Sequence, residues 1–116
     1  MPRSVLITQS NAVEGRDEEF NEWYDTRHVP DVLSLPGFVA AQRFLLADLE
    51  RNASSAFRYL TIYEIEGSLV DALNGLREAV AAGMYVSDAL DPLVSSYAYR
   101  EMGARVLAGS TEHEAE

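Results

Sequence analysis

A histidine at position 28 is the side chain in this sequence best suited to proton transfer near neutral pH. It follows Tyr24 by four residues and Phe20 by eight, so a helix would place all three on one face, the buried one. Asp25 and Asp31 each lie three residues from it, and either carboxylate would hold one ring nitrogen. A histidine that only caps or packs a helix end is the alternative interpretation of the same spacing.

Arg43 and two tyrosines are the next candidates. Arg43 lies in an otherwise apolar segment, where a guanidinium needs a carboxylate, a carbonyl or a ligand anion, unless it is exposed. Tyr63, or a tyrosine of the last strand such as Tyr97, would donate a hydrogen bond to a developing oxyanion. Packing within the sheet is the simpler interpretation of both tyrosines.

Three aromatic residues complete the predicted substrate site. We expect Trp23 and Phe44 to form apolar walls, and Tyr24 to share the face of His28. A tryptophan on an amphipathic helix also fits an ordinary core position. The sequence therefore predicts one proton-transfer group among aromatic side chains, with the reaction left open.

Composition excludes several classes of chemistry. The 116 residues include no cysteine and no lysine, which excludes thiol nucleophiles, disulfides and Schiff-base enzymes. No paired-histidine metal motif, glycine-rich phosphate loop or dinucleotide fingerprint occurs, so we expect neither a metal nor a cofactor. His113 lies in an acidic terminal stretch, where no function is predicted for it.

The charge and hydropathy of the chain restrict its partners. A net charge of −10 disfavours nucleic acids and anionic membrane surfaces. No apolar run approaches the ~18 residues of a membrane span, and no signal peptide is recognisable. We therefore expect a cytoplasmic protein that binds a small organic molecule.

Strands and helices alternate along the chain in the order βαββαβ. The patterns predict strands at residues 4–10, 38–46, 58–65 and 93–102, and helices beginning at residue 17 and spanning residues 69–82. This order predicts an α+β, ferredoxin-like domain over residues 1–108, with a four-stranded antiparallel sheet and both helices on one face. Residues 109–116 are expected to form a disordered acidic tail.

Three residues are predicted to set the helix boundaries. Asp17 is expected to cap the first helix and Pro30 to end or bend it, because proline lacks an N–H. Ser68 is the expected N-cap of the second helix.

The sheet face away from the helices carries too many large side chains for a monomer. On the third strand neither alternating set of residues is reliably polar, and Tyr97 and Tyr99 alternate on the fourth. Such an exposed apolar area is usually covered, and a two-fold copy of the same chain is the commonest cover. A homodimer is therefore predicted.

The segment Glu19-Phe-Asn-Glu-Trp-Tyr-Asp-Thr-Arg-His-Val-Pro-Asp31 resembles EthD-like members of the dimeric α/β-barrel superfamily. Leu35-Pro-Gly-Phe38 and Gln42-Arg-Phe44 extend the likeness. The resemblance implies a homodimeric barrel and matches His28 to the histidine considered for pocket chemistry. Relatives include cofactor-free cyclases, dehydratases, isomerases and monooxygenases. Haem-degrading relatives take their iron ligand from the second helix, which here contains no histidine.

Two functions follow from these expectations, and a purely structural dimer, with no pocket large enough for a ligand, is a third interpretation. The first is a cofactor-independent enzyme, of the lyase, isomerase or cyclase type, that acts on a small aromatic or polyketide-like metabolite in an internal pocket. His28 would transfer the proton, oriented by Asp25 or Asp31, with Tyr63 as hydrogen-bond donor. The alternative is a non-catalytic homodimer that binds a small molecule or assists another enzyme.

Overall fold

A four-stranded antiparallel sheet forms one layer of the protein. The computed structural model describes residues 3–109, and its strands are β1 (Arg3–Ser10), β2 (Phe38–Leu45), β3 (Tyr59–Glu66) and β4 (Ser95–Arg100). Their order across the sheet is β2-β3-β1-β4, with every neighbouring pair antiparallel. This topology confirms the predicted ferredoxin-like α+β fold.

The helical layer packs on one face of that sheet. It comprises α1 (Asp17–Trp23), a π-helical turn (Tyr24–His28), α2 (Val29–Leu33) and α3 (Leu69–Ala81); a short 3-10 turn (Glu50–Asn52) lies in the β2–β3 loop. The Ser68 hydroxyl caps α3 as predicted, accepting a hydrogen bond of 3.1 Å from the amide of Asp71.

Two predicted boundaries of the first helix are wrong. Asp17 lies inside α1, and its carboxylate accepts a hydrogen bond from the Tyr59 hydroxyl instead of capping the helix. Pro30 does not end the helical run: it lies in the first turn of α2, directly after the π turn, and α2 continues to Leu33. Proline is tolerated in the first turn of a helix, where its missing N–H has no intrahelical partner to lose.

Buried and less buried residues alternate along β3, and this alternation shows which face of the sheet meets the helices. Tyr59, Thr61, Tyr63 and Ile65 point toward the helices and are buried. Through the register Leu6↔Tyr63, the same face of β1 carries the buried Leu6. The core lies between this face and the helices, in two clusters that Val29 connects.

A β-bulge at Val39 changes the phase of β2. Phe38 pairs with Ile65 and Ala41 pairs with Tyr63, so one extra residue separates the two pairs on β2. Phe38 and Arg43 therefore face the helices together, although they are five residues apart and would otherwise lie on opposite faces.

The opposite face of the sheet is open in the single chain. It carries apolar side chains from all four strands: Val5, Ile7, Ala40, Phe44, Leu60, Ile62, Tyr97 and Tyr99. Tyr97 has 66% of its surface exposed, and Phe44 and Tyr99 are also exposed. We call this surface the open face.

Two further expectations concern the C-terminal residues and membrane-spanning segments. Of the predicted tail at 109–116, residues 110–116, which include His113, lie outside the described residues. Across residues 3–109, none of the helices combines the length and the hydropathy that crossing a membrane requires.

Candidate active site between the first helix and the sheet

The π turn brings His28 onto Trp23. In an α-helix, side chains five residues apart point about 140° away from each other. Here the amide of Val29 donates to the carbonyl of Tyr24, five residues back, so the turn is one residue wider. As a result the rings of Trp23 and His28 stack, with centroids 4.7 Å apart and planes at 30°.

The side chain of Thr26 bonds to the helix backbone within the π turn. Its hydroxyl donates to the carbonyl of Glu22, four residues back, at 2.6 Å, a bond of the kind that often bends a helix. On the inner side, the Tyr24 ring meets His28 edge-on at 5.0 Å. The imidazole therefore contacts two aromatic rings that also contact each other, with the Trp23 and Tyr24 centroids 5.1 Å apart.

These surroundings keep the imidazole neutral. Burial lowers the pKa of His28 below its ordinary value, the Asp31 carboxylate opposes that change, and the Arg43 guanidinium lowers it further. At neutral pH a ring nitrogen of His28 is thus free to accept a proton. Its Nδ1 is buried and has no hydrogen-bond partner among residues 3–109.

Arg43 reaches the same place from β2. Its guanidinium donates to the carboxylate of Asp25 at 2.8 Å and to the side-chain carbonyl of Asn21 at 2.9 Å. It also lies 4.3 Å from the centre of the Tyr24 ring, a cation–π distance. Its side chain is only 16% exposed, and its buried Nε–H has no partner in the described chain.

Tyr63 approaches from the centre of the sheet. Burial raises the pKa of its hydroxyl, and the nearby Tyr24 raises it further, so the hydroxyl keeps its proton. Tyr24 lies near the Tyr63 hydroxyl. Even so, no residue of the described chain forms a hydrogen bond of good geometry with this buried hydroxyl.

Four buried polar atoms that have no hydrogen-bond partner among residues 3–109 therefore belong to one group of side chains. They are Trp23 Nε1, His28 Nδ1, Arg43 Nε and the Tyr63 hydroxyl oxygen. Buried polar groups in folded proteins are nearly always paired, and those that are not often belong to functional or hydrated sites. We call these four residues, with Tyr24, the unpaired cluster.

Asp25 does not contact His28 in the way the spacing suggested. Its carboxylate is 61% exposed and forms its ion pair with Arg43. The acid that acts on His28 is Asp31, which is also 3.6 Å from Arg27. We therefore correct the expected role of Asp25: it holds Arg43 and not the imidazole, because the π turn changes which residues share a side of the helix.

Phe44 and Tyr97 lie away from the unpaired cluster. Successive residues of a strand point to opposite faces, so Phe44 cannot line the same side as Arg43. Tyr97 pairs with Ile7, also on the open face. The expectation that both residues line a pocket with His28 is corrected accordingly.

Two residues that the sequence reasoning missed support the cluster. Asn21 accepts from Arg43 and donates to the Tyr59 hydroxyl at 3.3 Å. Tyr59 in turn donates to Asp17 at 2.6 Å. A polar residue beside the buried Phe20 was the available signal for Asn21, since a side chain next to a buried face needs a partner.

Two pockets on the described surface lie away from the unpaired cluster. One of about 290 Å³ lies where β1, β3 and β4 meet the segment after β4, and one of about 660 Å³ lies in the β2–β3 loop. Within residues 3–109, no group of three histidine or acidic side chains is close enough to hold a metal ion.

Comparison with known proteins supports the fold. No protein-family model matches the sequence, and no curated protein matches it. Among solved structures, a putative monooxygenase from Shewanella loihica PV-4 is similar with a TM-score of 0.60 and 16% sequence identity. The match covers 90% of this chain and 99% of that one. Both chains therefore share one fold over almost their whole length.

Proposed function

We propose that this protein is an enzyme that uses acid–base chemistry on a small organic carbonyl compound bound at the unpaired cluster. The observation that carries the proposal is the convergence there of a neutral histidine, a protonated tyrosine and a guanidinium, each with a buried polar atom that has no partner in the described part of the chain. A buried site that brings together several groups with perturbed pKa values is a functional site more often than chance would give.

His28 is the proposed general base. Its neutral imidazole would remove a proton from the carbon beside the substrate carbonyl. The rings of Trp23 and Tyr24 would keep water from the site and fix the orientation of the imidazole. The protonated His28 would then return the proton to another atom of the substrate.

Tyr63 and Arg43 are the proposed donors to the oxyanion. When the proton leaves carbon, negative charge moves to the carbonyl oxygen as an enolate. The Tyr63 hydroxyl and the Nε–H of Arg43 both have a free hydrogen to donate, since neither is used within the described residues. Trp23 Nε1–H is a further donor of this kind.

The enolate is common to several outcomes. Reprotonation at a different atom gives an isomer, loss of a neighbouring hydroxyl as water gives a dehydrated product, and attack on a second carbonyl closes a ring. The structural neighbour is named a putative monooxygenase, which agrees with a small-molecule enzyme on this fold. EthD-like membership and cofactor-independent chemistry remain parts of the proposal.

A homodimer formed through the open face belongs to the same proposal. This face presents apolar side chains from four strands, with Tyr97 and Tyr99 exposed. A copy of the same sheet, related by a two-fold axis, would cover it. The site between helix and sheet would then lie outside the dimer interface.

A small-molecule-binding protein without catalysis is the second candidate. The observation that favours it is the closed packing around His28: the unpaired atoms have almost no exposed surface.

Deuterium exchange tests the proposal without knowledge of the substrate. A panel of small aromatic ketones and β-dicarbonyl compounds would be incubated with the protein in D2O, and exchange beside the carbonyl measured by NMR. We expect exchange of at least one compound to be accelerated, and His28→Gln to reduce it by about 10²–10⁴-fold. Tyr63→Phe should also slow it.

Tyr85→Phe is the matched control, because Tyr85 is exposed and contacts Arg27 outside the cluster. It should leave the exchange rate unchanged. Equal rates in the wild type and a folded His28→Gln variant would refute the catalytic proposal. A ligand that shifts the His28 NMR resonance without any exchange would instead support the binding protein.

A further inference from the structure

The unpaired cluster is closed to solvent. Trp23 and Tyr24 are buried, and the four unpaired atoms have almost no exposed surface. A small molecule therefore reaches His28 only when an element that packs on the cluster moves. One such element is the irregular segment between α3 and β4, and we call its residues 87–91 the strap.

The strap packs on the cluster with one side and faces water with the other. Ala89 is fully buried, in the same hydrophobic group as Trp23 and Tyr24. The side chain of Asp88, the preceding residue, is 87% exposed. A single thickness of chain therefore separates this part of the cluster from solvent.

Few hydrogen bonds hold the strap to the rest of the chain. The amide of Val13 donates to the carbonyl of Ala89 at 2.7 Å, and the amide of Asp91 donates to the carbonyl of Asn11 at 3.0 Å. The other walls of the cluster belong to the four-stranded sheet and to the helical run at 17–33, where backbone bonds are continuous. Segments with few such bonds open locally at a lower cost in free energy than strands and helices do.

The strap also has hydrogen bonds of its own. The Ser87 hydroxyl accepts from the amide of Ala89 at 3.0 Å, and the Ser87 carbonyl accepts from the amide of Leu90 at 3.2 Å. These bonds stay in place when the two bonds to residues 11–13 break. The strap can therefore move away as a folded turn.

Arg16 fastens the strap to the start of α1. Its guanidinium donates to the carboxylate of Asp88 at 2.7 Å and to the carbonyl of the same residue at 3.2 Å. It also donates twice to the carboxylate of Glu19, at 3.0 and 2.7 Å. Because the Asp88 carboxylate is exposed, water screens this ion pair and it contributes little stability. It favours the closed position without preventing opening.

We propose that the strap is the entrance to the unpaired cluster, and that Arg16 and Asp88 form its latch. The strap opens when its two backbone bonds to residues 11–13 break, and small molecules then reach Trp23 and His28. The inference rests on the site of the proposed function. It does not depend on the chemistry there, because entry can be measured with a probe that does not react.

A disulfide can lock the strap in place. Ala12 and Leu90 form an isolated antiparallel bridge flanked by the two backbone bonds, a pairing that puts Cα atoms about 4.5 Å apart, within disulfide range. Ala12→Cys with Leu90→Cys is the locked protein, since the chain has no cysteine of its own. Thr8→Cys with Ser96→Cys is the control. It joins β1 to β4, where the two hydroxyl oxygens are 3.3 Å apart, and leaves the strap free.

Succinimide is the probe. It is a small neutral dicarbonyl ring that quenches tryptophan fluorescence on contact, and Trp23 is the single tryptophan. We expect the quenching constant of the locked protein to be at least about twofold lower than that of the same protein reduced with a phosphine. The control pair should show the same quenching in both redox states.

Opening the latch should have the reverse effect. Asp88→Ala removes the carboxylate that Arg16 holds, and we expect it to raise the quenching constant by up to about fivefold, the range for an exposed ion pair. Glu78→Ala is the matched control, because it removes an exposed carboxylate of α3 that has no ion pair in the described part of the chain. It should leave quenching unchanged.

Three results would overturn the proposal. Equal quenching of the locked and reduced proteins means that small molecules enter elsewhere. An equal decrease with both disulfides means that entry requires unfolding of the whole domain. A wild type that succinimide does not quench means that the strap stays closed to molecules of this size. The deuterium exchange test is separate: if no carbonyl compound exchanges while the lock reduces quenching, the acid–base proposal fails and the entrance is supported.

Discussion

Replacing Tyr63 with phenylalanine should make the folded protein slightly more stable. The Tyr63 hydroxyl is buried on the central strand and has no partner among residues 3–109. Mutational data put the cost of an uncompensated buried hydroxyl at about 1–3 kcal/mol. Because Tyr24 lies near enough to offset part of this cost, we expect a gain of about 1 kcal/mol in the free energy of unfolding.

Tyr59 is the matched control on the same strand and the same face. Its hydroxyl donates to the Asp17 carboxylate at 2.6 Å and accepts from Asn21 at 3.3 Å. Hydrogen bonds to charged groups contribute about 1.5–3 kcal/mol, and Asp17 regains water when the bond is lost. Tyr59→Phe should therefore reduce the free energy of unfolding by about 1.5 kcal/mol. The same chemical substitution at Tyr63 is expected to change it in the opposite direction.

Urea denaturation at one protein concentration measures both variants. The single tryptophan, Trp23, is buried inside the cluster and reports unfolding by fluorescence, with circular dichroism as the second probe. The slopes with urea should agree, so that the midpoints compare directly. If Tyr63→Phe destabilises the protein as much as Tyr59→Phe does, the Tyr63 hydroxyl has a structural partner, and its proposed role as a free donor is refuted.

Further predictions concern electrostatics and helix capping. Arg43→Gln should raise the pKa of His28, and Asp31→Asn should lower it further. Two-dimensional NMR would measure both shifts. If both variants moved the pKa in the same direction, the opposite effects of Arg43 and Asp31 on His28 would be contradicted. Because the folded state disfavours the charged imidazole, the unfolded state binds the proton first as pH falls below about 6.5. Wild-type stability should decrease there, and His28→Gln should reduce that decrease in parallel urea titrations. Ser68→Ala should cost about 1 kcal/mol through the lost cap, measured against Ser54→Ala in the exposed loop.

The fold was predictable because several local patterns agree with one topology. The strands begin and end within two residues of their predicted bounds, since β-branched and aromatic runs alternate with clear turns. Ser68 was recognisable because capping depends on neighbouring residues only. These features need no knowledge of distant contacts.

The buried face of the sheet was harder to predict. On β3 both alternating sets contain large apolar residues, so periodicity alone does not distinguish the face that meets the helices from the open face. On β2 the bulge at Val39 shifts the phase, so that Arg43 faces the helices together with Phe38. Without the bulge, Phe44 would have taken the inward position instead.

Only part of the site was predictable from the sequence. His28, Tyr24, Trp23, Arg43 and Tyr63 lie together in the structure, although the sequence did not show whether Arg43 and the tyrosines point to one place. The partner of the imidazole was not predictable from three-residue spacings, because such spacings assume a regular helix. Whether these residues catalyse a reaction stays a prediction.

The π turn also bears on how this chain can be compared with others. A relative with a regular helix in place of residues 17–33 would need one residue fewer, so every position after the turn would be out of step by one. In a comparison without a gap, His28 would then stand opposite the wrong residue of the relative. The sequence similarity would therefore fall at the position of the histidine. Deleting a single residue from the turn would likewise leave a helix of good composition with its imidazole rotated off Trp23. One residue of chain length, more than the identity of any side chain, thus separates a scaffold with this site from one without it.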